Sequence, residues 1–204
     1  MTQNDNYQQR YIDHQERKKQ GLTVLPLDLP IIESDSFREI IEKRRSVRTF
    51  LKKEITAPSL IFILKTAIES PSSCNRQCIS VKIVFNKRSK NKLSQYLVGG
   101  KGWISKADKI LLLFADMRGY KSPNEVLYMP YLDAGVMAMS ICFSAQAKGM
   151  GSCIVNPNIE QENVNKFNQE FNKQGWKFCI AVALGYPAVK AIRPPKKSLK
   201  EFII

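Results

Sequence analysis

Apolar residues recur along this chain with two spacings, and the spacing separates predicted helices from predicted strands. Apolar positions three or four residues apart are typical of helices, whereas alternation or a short continuous apolar run is typical of strands. The pattern predicts strands over residues 79–85, 110–114 and 178–184. It predicts helices from the capping residues 34–36 to the arginines that begin at 44, and over 56–68, 88–98, 128–148 and about 160–173. This succession predicts an α+β fold, with helices around a small mixed sheet.

The helix predicted over 128–148 carries apolar residues on nearly every side, among them Leu132, Val136 and Ile141. A helix that is apolar all round is buried on all sides. In a domain of this size, the pattern therefore predicts either a central helix or one that a second subunit covers. Gly149 follows directly and is expected to end this helix as its C-cap.

Residues 1–35 differ in character from the domain predicted over 36–204. They are charged and then punctuated by Pro26 and Pro30, so they are predicted to form an arm that is partly helical around residues 11–20. The polar start predicts no secretory signal. The longest apolar runs, 110–115 and 179–184, are far shorter than a membrane span. We therefore expect a cytoplasmic protein without membrane association.

Composition adds a strong positive charge. The 204 residues carry a net charge of +14, and 44% of them are hydrophobic, enough for a sizeable core. A basic chain suggests a polyanion as partner. However, the lysines are spread over the whole length, and no helix-turn-helix, zinc-finger or aromatic RNA-binding signature occurs. Binding of nucleic acid or another acidic polymer is therefore an alternative, and no nucleic-acid partner is predicted.

The five cysteines lack the spacing of a disulfide framework, so reduced thiols are expected. Cys74 and Cys78 are spaced like the start of an iron–sulfur ligand set, but Val81 stands where the next cysteine would be needed. The single histidine, His14, lies in a polar stretch and has no clustered partners. The sequence predicts no metal site and no hydrolytic triad.

Three guanidinium groups fall within the six residues from Arg44 to Thr49, at the end of a predicted helix. The planar, forked guanidinium suits phosphate and carboxylate oxygens. A solvated helix end is the alternative interpretation, because cations are favoured at helix C-termini.

This arginine cluster and three later segments resemble, in order and rough spacing, the motifs of nitroreductase-like flavoproteins. The resemblance covers about residues 36–204. Arg44 to Arg48 resembles the FMN-phosphate motif, Pro71 to Gln77 the Pro-Ser-x-x-Asn-x-Gln loop, and Gly149 to Cys153 the Gly-Leu-Gly-Ser-Cys turn. Gly185-Tyr186-Pro187, with the basic tail after it, is similar to the family's final strand and tail. The frequent Gln-Pro-Trp is here Gln77-Cys78-Ile79, so the resemblance does not extend to one subfamily.

The resemblance implies a nitroreductase-like fold: a central mixed, mostly antiparallel sheet surrounded by helices, in an intertwined homodimer. Two FMN sites would lie at the subunit interface, and the long apolar helix would form the dimer core. The C-terminal segment would reach over the partner subunit, where residues 202–204 could pair as a strand or fray.

The resemblance also implies roles for individual residues. The FMN phosphate and ribityl chain would be held by Arg44, Arg45, Ser46 and Arg48, completed by Arg193 and by Lys196 or Lys197. The other side of the flavin would be lined, from the second subunit, by Pro71, Ser72, Ser73, Asn75 and Gln77. Gly149 and Gly151 would let backbone approach the ring, and residues 154–156 would lie near flavin N5. Ordinary structural roles are the alternatives: a solvated basic tail, a helix stop at 71–73 and a helix C-cap at Gly149.

Other residues in or near these motifs are given mainly structural interpretations. Trp103 is a candidate for the substrate side or for the core, and Tyr128 and Tyr131 are treated likewise. Asp133 is expected to be a structural hydrogen-bond partner. Cys74 and Cys153 lie in these motifs and are expected to be small, buried packing residues, with a redox role as the alternative.

By this resemblance the chain is an FMN-dependent oxidoreductase. A hydride from NADH or NADPH would pass through FMN to a nitroaromatic, quinone-like or biosynthetic acceptor in a ping-pong cycle. The chemistry belongs to flavin N5, so no protein residue is predicted to be catalytic. The alternatives are a flavin enzyme that acts on one biosynthetic intermediate without nicotinamide, a family member that has lost flavin, and the polyanion-binding protein.

Overall fold

The computed structural model describes residues 35–204, together with Gln9, Ile12, Gln15, Glu16 and Lys19, which are helical. The remainder of the arm predicted over 1–35 lies outside the described residues. So do His14 and the capping residue Ser34.

Within 35–204, four strands form one sheet in the order β1-β2-β4-β3, and every neighbouring pair is antiparallel. The strands are β1 (Ile79–Val84), β2 (Lys109–Asp116), β3 (Gly151–Val155) and β4 (Trp176–Gly185). The α-helices in this part of the chain are α1 (Asp35–Lys43), α2 (Ala57–Ile68), α3 (Lys87–Tyr96), α4 (Glu125–Ala147), α5 (Val164–Phe171) and α6 (Leu199–Phe202). A parallel bridge between Ser46 and Ser152 extends the sheet beyond β3. The predicted α+β class is confirmed.

The sheet divides the core into two layers, because successive side chains of a strand point to opposite faces. On one face, Leu111 and Leu113 of β2 pack with α2 and α4. On the other face, Leu112 and Phe114 pack with α3 and with the phenylalanines of α5. Helices thus cover both sides of the continuous apolar run that predicted β2.

Helix α4 buries only one side within the chain. Its small residues, such as Ala134 and Ala138, lie fully buried in the layer between α2 and the sheet. On the outer side Leu132 is 57% exposed, and Leu127, Tyr128 and Val136 are exposed as well. A central helix buried on all sides is therefore wrong for the single chain, and a covering second subunit stays a prediction. By length and composition α4 could also cross a membrane, but its buried residues make it a core helix of this fold.

Strand β3 was not predicted, since a turn was expected over 149–153. The structure has a turn only at Gly149 and starts the strand at Gly151. The residues Gly151, Ser152 and Cys153 are too small to show apolar alternation, and pairing with β4 makes them a strand.

Two further predictions need correction. Helix α5 was predicted to begin at about residue 160, but it begins at Val164, after a short 3-10 turn over Gln161–Asn163. At the C-terminus, Phe202 ends helix α6 and is not in a strand within the single chain, whereas the reach of the tail over a partner subunit stays a prediction. Ser198 and Glu201 form a capping box, in which the Ser198 N–H donates to Glu201 Oε2 at 2.8 Å. This reciprocal bonding satisfies the first N–H groups of a helical turn.

Candidate functional site

A cationic pocket of about 590 Å³ opens between the residues that follow α1, helix α4 and the C-terminal tail. Its apolar wall includes Met139 and Phe143 of α4. The predicted phosphate-binding residues that line it are Arg44, Arg45, Ser46, Arg48, Arg193 and Lys196. Lys197, the other tail candidate, is not among the lining residues. The fold thus brings the arginine cluster and the basic tail to one cavity.

The arginine segment is held against the edge of the sheet. The Val47 N–H donates to the Ser152 carbonyl at 2.9 Å, and the Leu51 N–H donates to the Tyr186 carbonyl at 2.8 Å. Val47 and Phe50 are buried, while Ser46 and Arg48 are exposed. The backbone bonds therefore fix the segment, with its apolar side chains in the core and charged side chains at the pocket.

Two glycines make this close attachment possible. A Cβ on Gly151 would lie 2.7 Å from Val47 Cγ2, and one on Gly185 would lie 2.7 Å from Phe50 Cδ1. The two glycines are paired across β3 and β4. Gly151 is thus explained by the packing of Val47, and its predicted approach to a flavin ring stays a prediction.

Each arginine of the cluster has a different environment. Arg45 Nη1 donates to the carbonyls of Glu42 at 2.5 Å and of Arg44 at 2.6 Å, so Arg45 also caps the end of α1. The Arg48 guanidinium lies 5.7 Å from the centroid of the Trp103 ring, within cation–π range. Arg44 is half-buried at the pocket wall. Arg45 therefore has both roles: it caps the end of α1, as the alternative interpretation expected, and it lines the pocket.

The pocket carries a surplus of positive charge. Its lining includes four arginines and one lysine, and Glu42 is the carboxylate among them. A hydrogen bond from Arg38, and more weakly the charge of Arg193, lower the pKa of Glu42 and keep it ionised. The remaining surplus suits a doubly charged phosphate, which guanidinium groups can grip through paired oxygens.

The thiols near this pocket are inert by burial. Burial raises the pKa of Cys153, although Arg48 and a hydrogen bond with Ser46 act against the rise. The packing role expected for Cys153 is confirmed, whereas the one expected for Cys74 is wrong, because Cys74 is exposed. None of the five cysteines forms a disulfide.

The predicted flavin loop, residues 71–77, has a strained backbone. Cys74, Asn75 and Gln77 have φ angles of 51°, 52° and 52°, in the left-handed region. Non-glycine residues there cost on the order of 1–3 kcal/mol each and tend to cluster at functional sites. Within the loop, the Gln77 N–H donates to Ser72 Oγ at 2.9 Å, and Gln77 Nε2 donates to Asn75 Oδ1 at 3.2 Å.

Asp133, a residue of α4, holds this loop by a hydrogen bond to the loop backbone. It is buried, its Oδ1 accepts the Ser73 N–H at 2.9 Å, and its Oδ2 accepts the Tyr120 hydroxyl at 3.0 Å. The expected structural role of Asp133 is confirmed. Sequence analysis missed Tyr120, as well as the buried Arg76 that pairs with Glu125 at 3.0 Å, because neither belongs to a recognisable spacing.

In the single chain, the loop and the cationic pocket line different cavities. Pro71, Ser72 and Gln77 border a cavity of about 110 Å³ that also includes Asp133. Gly149 and Gly151 border another of about 330 Å³, which shares Arg45 with the cationic pocket. Gly149 has φ 69° and follows the last turn of α4, so its C-cap role is confirmed.

Of the three aromatic candidates, Trp103 is partly buried and the two tyrosines are exposed. Trp103 is partly buried, packs against the second core layer and donates from Nε1 to the Gly99 carbonyl at 2.9 Å. Tyr128 and Tyr131 are exposed, so a core role is wrong for both within one chain. The Trp103 ring lies beside Arg48, a residue of the cationic pocket.

Comparison with known proteins agrees with this geometry. The family model described as "Putative TM nitroreductase" matches residues 36–204. The FMN reductase [NAD(P)H] of Bacillus subtilis is 26% identical over 167 residues, which cover 74% of this chain and 66% of that protein. The chain thus spans slightly less than two thirds of that relative's length.

Solved structures show the same fold. A nitroreductase family protein from Streptococcus pneumoniae is 19% identical with a TM-score of 0.72, over 82% of this chain and 98% of that one. An FMN-dependent nitroreductase from Clostridium difficile is 23% identical with a TM-score of 0.66, over 78% and 91%. Since the family model spans everything from residue 36 to the C-terminus, the protein belongs to the nitroreductase family.

Proposed function

We propose that this protein is an FMN-dependent oxidoreductase that uses NADH or NADPH to reduce a small-molecule acceptor. The observation that carries the proposal is the convergence of Arg44, Arg45, Arg48, Arg193 and Lys196 on one cavity beside the sheet edge. The similarity to an FMN reductase [NAD(P)H] and to an FMN-dependent nitroreductase supports the same cofactor and electron donor.

The residues of the cationic pocket fit the FMN phosphate chemically. A phosphomonoester carries roughly two negative charges near pH 7. Charge-assisted hydrogen bonds contribute about 1.5–3 kcal/mol each, so a few guanidinium contacts are a sufficient source of affinity. Arg44, Arg48 and Arg193 would grip the phosphate, and the exposed Ser46 would bind the ribityl chain.

The loop over 71–77 supplies the groups that a flavin ring needs. Asn75 and Gln77 carry amides that can donate and accept hydrogen bonds, and both side chains are exposed. When bound, FMN supplies the redox chemistry: hydride uptake from NADH or NADPH and electron delivery to a nitroaromatic, quinone-like or biosynthetic acceptor. The protein's task is then to position the ring and to leave one face open to donor and acceptor in turn.

A second copy of the chain would complete this site. The outer side of α4 exposes Leu127, Tyr128, Leu132 and Val136 together. Contiguous exposed apolar surface of this kind marks an interface. A homodimer built on α4 would cover that surface and bring the partner's flavin loop toward the cationic pocket. A cytoplasmic location is part of the same proposal.

The test is spectroscopic. Protein purified with FMN should be yellow and lose its visible absorption when NADH or NADPH is added without oxygen, then recover it with a quinone or nitroaromatic. Arg48→Ala should weaken FMN binding about 10- to 100-fold, the range expected when a charge-assisted hydrogen bond is lost. Lys52→Ala is the matched control, because Lys52 is exposed and does not line the pocket.

Three results would lead to different conclusions. Bound FMN that neither nicotinamide reduces would favour a specialised flavin enzyme without a nicotinamide donor. Absence of FMN binding would refute the proposal. In that case, binding to nucleic acid that falls steeply with salt would support the polyanion alternative.

A further inference from the structure

The flavin loop depends on a buried carboxylate and a buried phenol that belong to no predicted motif. Asp133 is 5% exposed, and each of its oxygens accepts a different donor: the Ser73 N–H at 2.9 Å and the Tyr120 hydroxyl at 3.0 Å. Asp133 Oδ1 therefore holds the loop backbone, and Asp133 Oδ2 is fixed by the hydroxyl of Tyr120 in the core.

Tyr120 is a rigid second partner. It is 6% exposed and lies in the core layer between α2, α4 and the sheet. Burial, and then the negative charge of Asp133, raise the pKa of Tyr120, so its hydroxyl stays protonated and can donate. Because the phenol ring is locked by packing, its hydroxyl orients the carboxylate that receives the loop N–H.

A second attachment runs through Arg76, the buried residue of the loop. Its Nη2 donates to Glu125 Oε1 at 3.0 Å, and its guanidinium lies 6.0 Å from the Tyr120 ring centroid. Glu125 is itself fixed, because Oε2 accepts the N–H groups of Lys121 at 3.1 Å and Ser122 at 3.3 Å. Tyr120 thus contacts both attachments of the loop.

These attachments matter because packing alone does not support the loop. Three of its residues have left-handed φ angles, and a cavity of about 110 Å³ lies beside Ser72, Gln77 and Asp133. A strained backbone persists only where its surroundings determine it. Here the loop is held by its own hydrogen bonds and by those that Asp133 and Glu125 of α4 accept from Ser73 and Arg76.

We propose that Asp133 and Tyr120 are positioning residues that hold the 71–77 loop in its flavin-binding conformation. The inference rests on the proposed function, since it concerns the same cofactor. It goes further by assigning loop geometry, and with it the flavin's environment, to a buried hydrogen-bonded pair outside the loop.

The chain offers a matched control on the other face of the sheet. Tyr96 is 5% exposed, and its hydroxyl donates to Glu170 Oε1 at 3.2 Å. Tyr96→Phe and Tyr120→Phe therefore each delete a hydrogen bond from a buried phenol to a carboxylate, once in each core layer. Glu170 differs from Asp133 in being exposed and in pairing with Lys92 as well. A merely structural role predicts a loss of global stability in both variants and no effect confined to the loop.

The experiment compares Tyr120→Phe, Asp133→Asn and Tyr96→Phe with the wild type. Without FMN, amide exchange at Ser73 and Gln77 should accelerate about tenfold in the first two variants and stay within twofold in Tyr96→Phe. With FMN, the first two should raise Kd about tenfold and shift the visible flavin spectrum, whereas Tyr96→Phe should leave both Kd and spectrum unchanged, whatever its effect on Tm.

If Tyr120→Phe and Tyr96→Phe give the same exchange, affinity and spectrum, the inference is overturned. Should Asp133→Asn fail to fold, the tyrosine pair still decides the matter. Absence of FMN binding by the wild type would refute the proposed function, and the exchange rates without FMN would separately decide whether the pair holds the loop.

Discussion

Gly151→Ala places a methyl group where the arginine segment meets β3. The added Cβ would lie 2.7 Å from Val47 Cγ2, 2.8 Å from Val47 Cβ and 3.0 Å from Val47 Cγ1. Protein carbon atoms do not approach this closely, so Val47 must move. The segment that carries Arg44 and Arg48 moves with it, at the expense of the hydrogen bond from the Val47 N–H to the Ser152 carbonyl at 2.9 Å.

The loss of folding free energy in Gly151→Ala follows from this crowding. Overpacking by one methyl group in a closely packed core costs about 1–3 kcal/mol. In a chain of this size, 1 kcal/mol lowers Tm by about 2–4 °C. Val47→Ala alone should cost about 2 kcal/mol, since Val47 is buried and loses two methyl groups. It also removes both Cγ contacts and leaves only the one with Cβ.

The two substitutions should therefore not be additive. In the Val47→Ala background, Gly151→Ala should cost at least about 1 kcal/mol less than in the wild type, a coupling typical of residues in contact. Urea unfolding of the four proteins measures this coupling. Additive losses, or a stable Gly151→Ala variant with unchanged FMN affinity, would refute the view that Val47 sets the position of the arginine segment.

Three further predictions concern other parts of the fold. Gly149→Ala meets no atom within 4 Å but keeps φ 69°, so it should lose about 1–2 kcal/mol by urea unfolding, and no loss would contradict the left-handed C-cap. A hydrogen bond from Lys92 lowers the pKa of Glu170 from its ordinary 4.5, so its stabilisation is present above pH 4.5 and is lost as pH falls through the lowered folded-state pKa. Glu170→Gln should flatten this acid limb in unfolding measured from pH 6 to 3, and an unchanged slope would show that the pair is not formed. Leu132→Glu should convert a dimer to monomers in sedimentation velocity, whereas Phe85→Glu, at a comparably exposed residue outside α4, should not; a wild-type monomer would contradict the α4 interface.

Elements with strong local signals could be predicted from sequence. The continuous apolar runs of β2 and β4 indicated buried strands. In α2, Thr56 accepts the Ser59 N–H at 3.4 Å and Pro58 lies in the first turn, positions where these residue types are favoured. Helix α6 was also readable, because Ser198 and Glu201 have capping-box spacing.

Long-range features could not be predicted from spacing. Strand β3 depends on pairing with β4 and on Val47 packing against Gly151, which no local pattern reveals. Arg193 reaches the cavity of Arg44 only through the complete fold, and the family resemblance supplied that expectation. The left-handed conformations at Cys74 and Gln77 could not be predicted, since neither residue type favours them and the contacts that hold their loop to the rest of the fold are made by Ser73 and Arg76.

The most direct test of the cationic pocket compares FMN with riboflavin, which lacks the phosphate. If Arg44 and Arg193 grip that phosphate, two or more charge-assisted hydrogen bonds should make FMN bind at least about 100-fold more tightly than riboflavin. The preference should fall at least about tenfold in Arg44→Ala/Arg193→Ala and stay unchanged in Lys52→Ala. Equal affinity for the two flavins, or a preference that survives loss of both arginines, would contradict the account.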